Sequence, residues 1–370
     1  MSKLEELINE LCPDGVEYIR LGNMTKILRG KRLIKSQLSY NEKYPVFHGG
    51  LEPLGYYGES NRKANTVMVI NVGASAGTVG YSNVEFWSSD GCFCLEHSTS
   101  IINRYAYYAL LSCEKLLRSK VRFAGIPTLD NKVVEDVKFP LPPLPVQHEI
   151  VRILDNFREL TAELTAELTA ELTERKKQYE YYRDFLFDFS DDVPRVKLVD
   201  ITDISRGVRV VKKQLIPNGK YPVYQNCLTA MGYYDKHNCD ADTTYVISAG
   251  AAGEIGFCDK DFWAADDCLI FSNLNGVINK YIYYFLTTKQ DFIRSNVRRA
   301  SIPRLSRRVI ENLQIPFVSL EEQERIVAIL DRFDTLCNDL TSGLPAEIEA
   351  RRKQYEYYRD RILTFKEKVA

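Results

Sequence analysis

No apolar run in the 370-residue chain approaches the ~18 residues that a membrane span requires, so a membrane anchor is not what organises it. The opening stretch MSKLEELINE is acidic and polar without an apolar centre, which points away from a secretory leader and toward the cytoplasm. Cysteines number nine, an odd count with no CxxC pair, and histidines only four. That pattern fits reduced, partly buried thiols rather than a disulfide framework or a zinc site. The closest pair, Cys92 and Cys94, has no second ligand pair nearby and reads as strand packing. A net charge of −1 excludes a uniformly basic coat, so any affinity for nucleic acid must come from local patches or from a partner.

Catalytic signatures are missing as well. VGASAGTVG and SAGAAGEIG are rich in glycine, but neither ends in GK[ST] nor shows GxGxxG order opening a helix, so tight turns between strands explain them better than phosphate binding. Leu141-Pro142-Pro143-Leu144 has the double proline of an amino-methyltransferase motif without an acceptor before it or a ring after it. No arrangement of Asp, Glu and Lys suggests a nuclease metal, and His48, His97, His148 and His237 sit in unrelated contexts. The chain is expected to be non-catalytic and to hold no metal.

One further absence is constructive: residues 147–190 contain neither Gly nor Pro. Within them Leu160, Leu164, Leu168 and Leu172 recur every fourth residue, with Glu163, Glu167 and Glu171 on another face. Propensity and pattern agree on one helix of about 40 residues, roughly 60 Å long, which needs a partner along its length. Upstream, Ile150, Ile153, Leu154 and Phe157 lead into the Leu row at helical spacing.

The chain repeats itself. RKKQYEYYRD at 175–184 returns as RRKQYEYYRD at 351–360, nine identities in ten at an offset of 176. Leu336, Leu340, Leu344 and Ile348 match the four Leu, and Gln323, Ile326, Ile329, Leu330 and Asp331 match Gln147, Ile150, Ile153, Leu154 and Asp155. Where the first copy has TAELTA the second has SGLPA, so Gly343 and Pro345 should break or kink the second helix. Outside the helices KYPVFHGGLEPLGYY pairs with KYPVYQNCLTAMGYY, FWSSDGCFCL with FWAADDCLIF, and AGIPTL with ASIPRL. The architecture expected is α+β: two β-rich domains in tandem pseudo-twofold repeat, joined by two long helices. Its divisions are a short amphipathic helix and first domain over 1–145, a first spacer helix over 146–190, a second domain over 191–320 and a second spacer helix over 321–370. The short helix at residues 1–12 should pack beside the end of the second spacer, bringing the termini together.

Loop content differs between the copies while framework does not, which suggests two related surfaces that read different things. Arg294, Arg298, Arg299, Arg304, Arg307 and Arg308 lie within fifteen residues that contain no acid. The first copy has Lys115, Arg118, Lys120 and Arg122 there. A second basic run, Lys26, Arg29, Lys31, Arg32 and Lys35, has its counterpart in Arg206, Arg209, Lys212 and Lys213. A single run of this kind is ordinarily solvated surface. Four at equivalent places point to phosphate contact, with some Arg available to read guanine. Nearby rings such as Tyr57, Trp87, Tyr234 and Trp263 are expected in the core rather than as stacking platforms.

The tandem plan, the PLPPLxxQxxIVxILD entry to the first helix, its divergent copy IPFVSLEEQERIVAILD, the TAEL units and the duplicated KQYEYYRD resemble the specificity subunit of type I restriction and modification enzymes. The resemblance covers nearly the whole chain. It implies two target recognition domains, each reading one half of a split, asymmetric double-stranded DNA site, held by two helices packed antiparallel as a coiled coil. It further implies that those helices dock two methyltransferase subunits and, through them, the restriction and motor subunits. S-adenosylmethionine, ATP and Mg belong to those partners, with none in this chain. The residues expected to serve the spacer and the docking are Leu160, Leu164, Leu168, Leu172, Tyr179 and Tyr182, with Leu336, Leu340, Leu344, Ile348, Tyr355 and Tyr358. If the helix is a ruler, each TAEL unit adds about 6 Å and should change the gap between half-sites by one or two base pairs. The alternative is a coiled-coil scaffold whose heads bind proteins, for which binding would not fall steeply with salt.

Overall fold

The computed structural model describes residues 2–338 and 342–368. The chain divides into two units: residues up to Glu167 together with those from Ile348 onward, and residues 168–347 between them.

In the first unit α1 (Lys3–Leu11) opens with a capping box in which the Ser2 hydroxyl accepts from the Glu5 N–H and Glu5 accepts from the Ser2 N–H. Strands β1 (Tyr18–Arg20), β2 (Ile27–Arg29), β3 (Tyr44–Phe47), β4 (Gly55–Tyr57), β5 (Thr66–Ile70), β6 (Val79–Ser82), β7 (Trp87–Ser88) and β8 (Cys92–Leu95) follow. They are succeeded by α2 (Asn103–Ser112), α3 (Glu114–Ser119), α4 (Asn131–Glu135), β9 (Lys138–Pro140) and α5 (Leu144–Leu186). One antiparallel sheet has the order β2-β8-β5-β6; a second has β4-β3-β7, with β3 and β7 parallel; β1 pairs with β9. Every residue of β5, TVMVI, is buried, because α2 covers one face of its sheet and the second small sheet lies against the other. The larger core joins Val67 and Val69 of β5, Tyr105 and Tyr108 of α2, and Ile150 and Leu154 of α5. Cys92 and Cys94 lie in the smaller cluster with Phe47, Met68, Ile70 and Phe86, where they act as apolar filling. Leu4 and Leu363 share the larger core, and Val16 bridges to Glu367, so the two ends of the described chain meet in this unit.

The second unit repeats this order: β10 (Arg195–Lys197), α6 (Leu198–Ile201), β11 (Asp203–Arg206), β12 (Tyr221–Tyr224), β13 (Gly232–Tyr234), β14 (Thr243–Ile247), β15 (Ile255–Cys258), β16 (Trp263–Ala264) and β17 (Cys268–Ser272). After them come α7 (Asn279–Thr288), α8 (Gln290–Ser295), α9 (Arg307–Glu311), β18 (Gln314–Pro316) and α10 (Leu320–Asn338), and then α11 (Leu344–Ile362), which starts in the second unit and from Ile348 onward belongs to the first. Its sheets, β11-β17-β14-β15, β13-β12-β16 and β10-β18, are those of the first unit strand for strand. Among the described residues no helix is long and apolar enough to cross a membrane.

The motif that enters each long helix is a fastening. The Gln147 side chain, buried, accepts from the Ile102 N–H at 2.9 Å and donates to the Pro142 carbonyl at 2.8 Å and the Ser100 carbonyl at 3.3 Å. Gln323 repeats it, accepting from Ile278 at 2.8 Å and donating to Val318 at 2.9 Å and Gly276 at 3.0 Å. Two turns on, Asp155 receives the Tyr108 hydroxyl at 2.6 Å and the Arg104 guanidinium at 2.7 Å; Asp331 receives Tyr284 and, at 2.8 Å, Lys280. Burial, with the adjacent Asp155 carboxylate, pushes the Tyr108 phenol well above its ordinary range, so it stays a donor. Gln and Asp recur eight residues apart in both copies because each holds a helix to its own β-rich head.

The Leu row departs from expectation. Leu160 and Leu164 are 64% and 36% exposed, whereas Leu168 and Leu172 are half-buried. Four residues turn the helix by about 400°, so a strict four-residue row drifts by ~40° per repeat and leaves any straight seam. The partly buried positions step instead through Thr161, Thr165, Leu168, Leu172, Arg175 and Tyr179, alternating strides of four and three. In the second copy α10 ends at Asn338 and α11 begins at Leu344, with Pro345 in its first turn, where a missing N–H costs no hydrogen bond. Leu340 lies outside the described residues. Leu336 is 37% exposed, Leu344 and Ile348 are half-buried, and the ring of Tyr358 lies against Phe157 at 5.9 Å as that of Tyr182 lies against Phe333 at 5.5 Å. Tyr179 is half-buried against the core of the second unit, and Tyr355 is half-buried in the first.

Candidate nucleic-acid interface

All nineteen cations of the four basic runs are exposed: Lys26, Arg29, Lys31, Arg32, Lys35, Lys115, Arg118, Lys120 and Arg122 in the first unit, and Arg206, Arg209, Lys212, Lys213, Arg294, Arg298, Arg299, Arg304, Arg307 and Arg308 in the second. Exposure alone would describe any solvated face. Their placement is more specific, because in each unit backbone bonds through one residue, Asn71 or Ser248, connect the turn that anchors the first basic run to the hairpin of the second, and this connected strip makes a rim.

In the first unit the run after β2 is anchored by backbone. Gly30 donates to the Cys92 carbonyl at 3.3 Å and Lys31 to the Ser88 carbonyl at 2.9 Å, and the Trp87 indole N–H donates to the Lys31 carbonyl at 2.7 Å. A Cβ on Gly30 would stand 1.9 Å from the Ser89 carbonyl oxygen, so only glycine admits this crossing. The turn after β7 meets residue 48, where the Gly91 N–H donates to His48 Nδ1 at 3.2 Å and Asp90 lies 3.3 Å from the same ring nitrogen. Beside it, Gly73 donates to the Pro127 carbonyl at 2.9 Å, and Leu129 to the Asn71 carbonyl at 2.9 Å. Arg122 and Thr128 close a hairpin by mutual backbone bonds of 2.9 and 3.0 Å. Arg118, at the end of α3, donates to the Thr78 hydroxyl at 2.7 Å over the glycine-rich turn. That turn is therefore a close-packed floor, as the sequence suggested, with Gly73 and Gly77 both at φ +89°.

The second unit builds the same rim. Gly207 donates to Cys268 at 3.1 Å, Val208 to Ala264 at 2.9 Å, and the Trp263 indole to the Val208 carbonyl at 2.8 Å. Ala251 donates to Asn226 at 2.8 Å, Ser248 to Asp267 at 2.7 Å, Leu305 to Ser248 at 2.8 Å and Gly250 to Pro303 at 3.2 Å. Arg298 and Arg304 close the hairpin with bonds of 2.9 and 3.1 Å. The tryptophans thus serve the rim by holding the backbone of a basic run, each packed edge-on against a tyrosine, Tyr57 or Tyr234.

Sequence spacing missed the carboxylates that already engage some of these cations. Arg122 pairs with Asp130 at 2.7 Å, Arg118 with Glu114 at 3.5 Å, Arg294 with Glu254 at 2.9 Å and Arg307 with Glu311 at 2.8 Å. Among the described residues no ion pair involves Arg29, Lys31, Arg32, Lys35, Lys120, Arg206, Arg209, Lys212, Lys213, Arg298, Arg299, Arg304 or Arg308. Also missed were His48, Gln225 and Asn226, polar groups on loops that differ between the copies, and Asp90 and Asp267 in the matching turn after the tryptophan strand. Aligning the two copies marks those loops as divergent but does not indicate which side chains face the rim. The described residues include one group with ligand atoms close enough for a metal, His237, Asp240 and Asp261; His237 and Asp240 are exposed, and half-buried Asp261 already accepts the Ala241 N–H at 3.0 Å.

Comparison with known proteins agrees with this duplicated plan. The family model described as type I restriction modification DNA specificity domain matches twice, over residues 13–174 and 190–350. A Haemophilus influenzae protein named as a putative type I restriction enzyme specificity subunit is 31% identical over 95% of this chain and 96% of its own length. An Escherichia coli type I restriction enzyme specificity subunit is 30% identical over 99% and 97%. Among solved structures, one chain from a study of type I restriction-modification complex assembly aligns over 94% of this chain and 97% of its own with a TM-score of 0.68 at 15% identity. The specificity subunit from M. genitalium aligns over 94% and 96% with a TM-score of 0.55. Two matched copies covering most of the sequence, relatives aligned end to end and a shared fold establish that this chain belongs to the type I restriction-modification specificity subunit family.

Proposed function

We propose that each rim reads one half of a bipartite, asymmetric target in double-stranded DNA, with the exposed cations holding phosphates and the divergent loops facing base edges. Family membership makes the chain a recognition subunit rather than a catalyst. The observation that carries the proposal is the recurrence, in both units, of two basic runs fixed by the same glycine, tryptophan and hairpin contacts. Phosphate contacts would give position, and residues such as His48, Gln225 and Asn226 selectivity. In this reading the helices set the gap between half-sites and dock two methyltransferase subunits, with restriction and motor subunits joining through them. Exposed side chains available for docking are Leu160, Leu164, Tyr181, Tyr182 and Phe185 on α5, and Tyr357 and Tyr358 on α11. S-adenosylmethionine, ATP and Mg would be held by those partners, in the cytoplasm where the DNA is.

The test is the salt dependence of duplex binding by the chain assembled with its modification subunits. Replacing Arg298, Arg299 and Arg304 together with Ala should flatten the log–log slope by about 3, close to one for each phosphate no longer neutralised. An unchanged slope would favour a scaffold that binds proteins.

A further inference from the structure

The hairpins at the rims carry a feature that phosphate binding does not use. Residues 123–127 read FAGIP and residues 299–303 read RASIP, each closed by the paired backbone bonds described above and tied to the glycine-rich floor through the Pro127 or Pro303 carbonyl. The loops are therefore held at their bases. Their tips are apolar and open: Phe123 is 76% exposed, Ile126 70% and Ile302 53%. A Cβ at Gly125, which has φ +87°, would meet nothing within 4 Å, so the tip stands clear of the head. Single exposed isoleucines are common on protein surfaces. This one recurs at the same place in two loops that otherwise exchange Phe for Arg, Gly for Ser and Thr for Arg, each time among exposed cations.

We infer that the two hairpin tips are wedges that enter the base stack at each half-site, with Ile126 and Ile302 as the inserted side chains; this rests on the DNA-reading role proposed above. Apolar side chains between base steps partly unstack them, and flanking cations on the backbone offset the cost of the distortion. The surrounding charge selects DNA over a protein as the occupant, since Arg298, Arg299 and Arg304 sit in the fifteen-residue stretch without an acid. A base that is to be chemically modified must leave the stack, so a wedge held on the recognition subunit would lower the barrier to that step for its partners. The first tip presents two apolar side chains, Phe123 and Ile126; the second presents Ile302 beside Arg299. The first half-site should therefore be the more distorted.

The test uses the full chain assembled with its modification subunits and a duplex carrying the target, first identified by mapping methylated adenines, with 2-aminopurine replacing each adenine in turn. The wild-type complex should brighten one position in each half-site. Phe123→Ala with Ile126→Ala should abolish the first signal, Ile302→Ala the second, each weakening binding about tenfold without altering the salt slope. Because these side chains are exposed, the substitutions leave the fold intact. Full signal and affinity in the variants would overturn the wedge, as would variants that no longer assemble with the modification subunits, which would make the tips protein contacts. A wild-type complex that binds no duplex would instead overturn the DNA-reading role itself.

Discussion

The two rims share their carpentry and differ in their charge. Gly30 and Gly207 make the same crossing, Trp87 and Trp263 hold the same carbonyl, and Gln147 and Gln323 fasten the same loop. Yet Arg122 is held by Asp130, whereas its counterpart Arg298 has Ser306 at the position equivalent to Asp130. Thr128 is an alcohol and its counterpart Arg304 a cation; Phe123 is apolar and Arg299 charged. The first rim is thus the more neutral and the second the more cationic. The devices that recur are backbone contacts and buried hydrogen bonds, which fix shape. The side chains that vary stand on the loops those devices support, so selectivity can change without disturbing the scaffold.

The largest effects are expected in the shared framework. Gln147→Ala and Gln323→Ala each leave a buried N–H and two carbonyls without their partner and should cost about 2–3 kcal/mol of stability, alike in the two copies. Denaturant unfolding measures both; a large inequality would mean that the fastening is not equivalent. Next, Arg298→Ala should weaken duplex binding by the assembled complex about fivefold, while Arg122→Ala, whose charge Asp130 already offsets, should change it less than about twofold. Equal effects would remove the electrostatic distinction between the rims. The smallest effect is expected of Asp130→Ser, which gives the first rim the second's residue and should tighten binding about twofold and steepen its salt dependence.

Much of this was legible in the sequence, for identifiable reasons. A stretch of more than forty residues without Gly or Pro yields a helix wherever it lies, and α5 runs from Leu144 to Leu186. An offset repeat is visible without knowledge of contacts, as is the interruption by Gly343 and Pro345 between α10 and α11. The Leu row does not share one environment, because period four resembles a stripe over two turns but winds off it over four. The strand order β2-β8-β5-β6 was not legible: strands of two to five residues, such as the wholly buried TVMVI, carry no alternation to mark a face. Nor was the neutralisation of Arg294 by Glu254, because those residues are forty apart in the chain and meet only where α8 crosses the glycine-rich turn.

Independent reading of the two half-sites is what two separate rims on one scaffold should give. It is tested most directly by mapping methylated adenines across a genome in cells expressing this chain with its modification subunits, as wild type and as Arg298→Ala with Arg304→Ala. The expected result is a split motif with a constant gap, and in the variant a relaxation confined to one half. A change in both halves together, or no methylated motif from a complex shown to assemble, would contradict it.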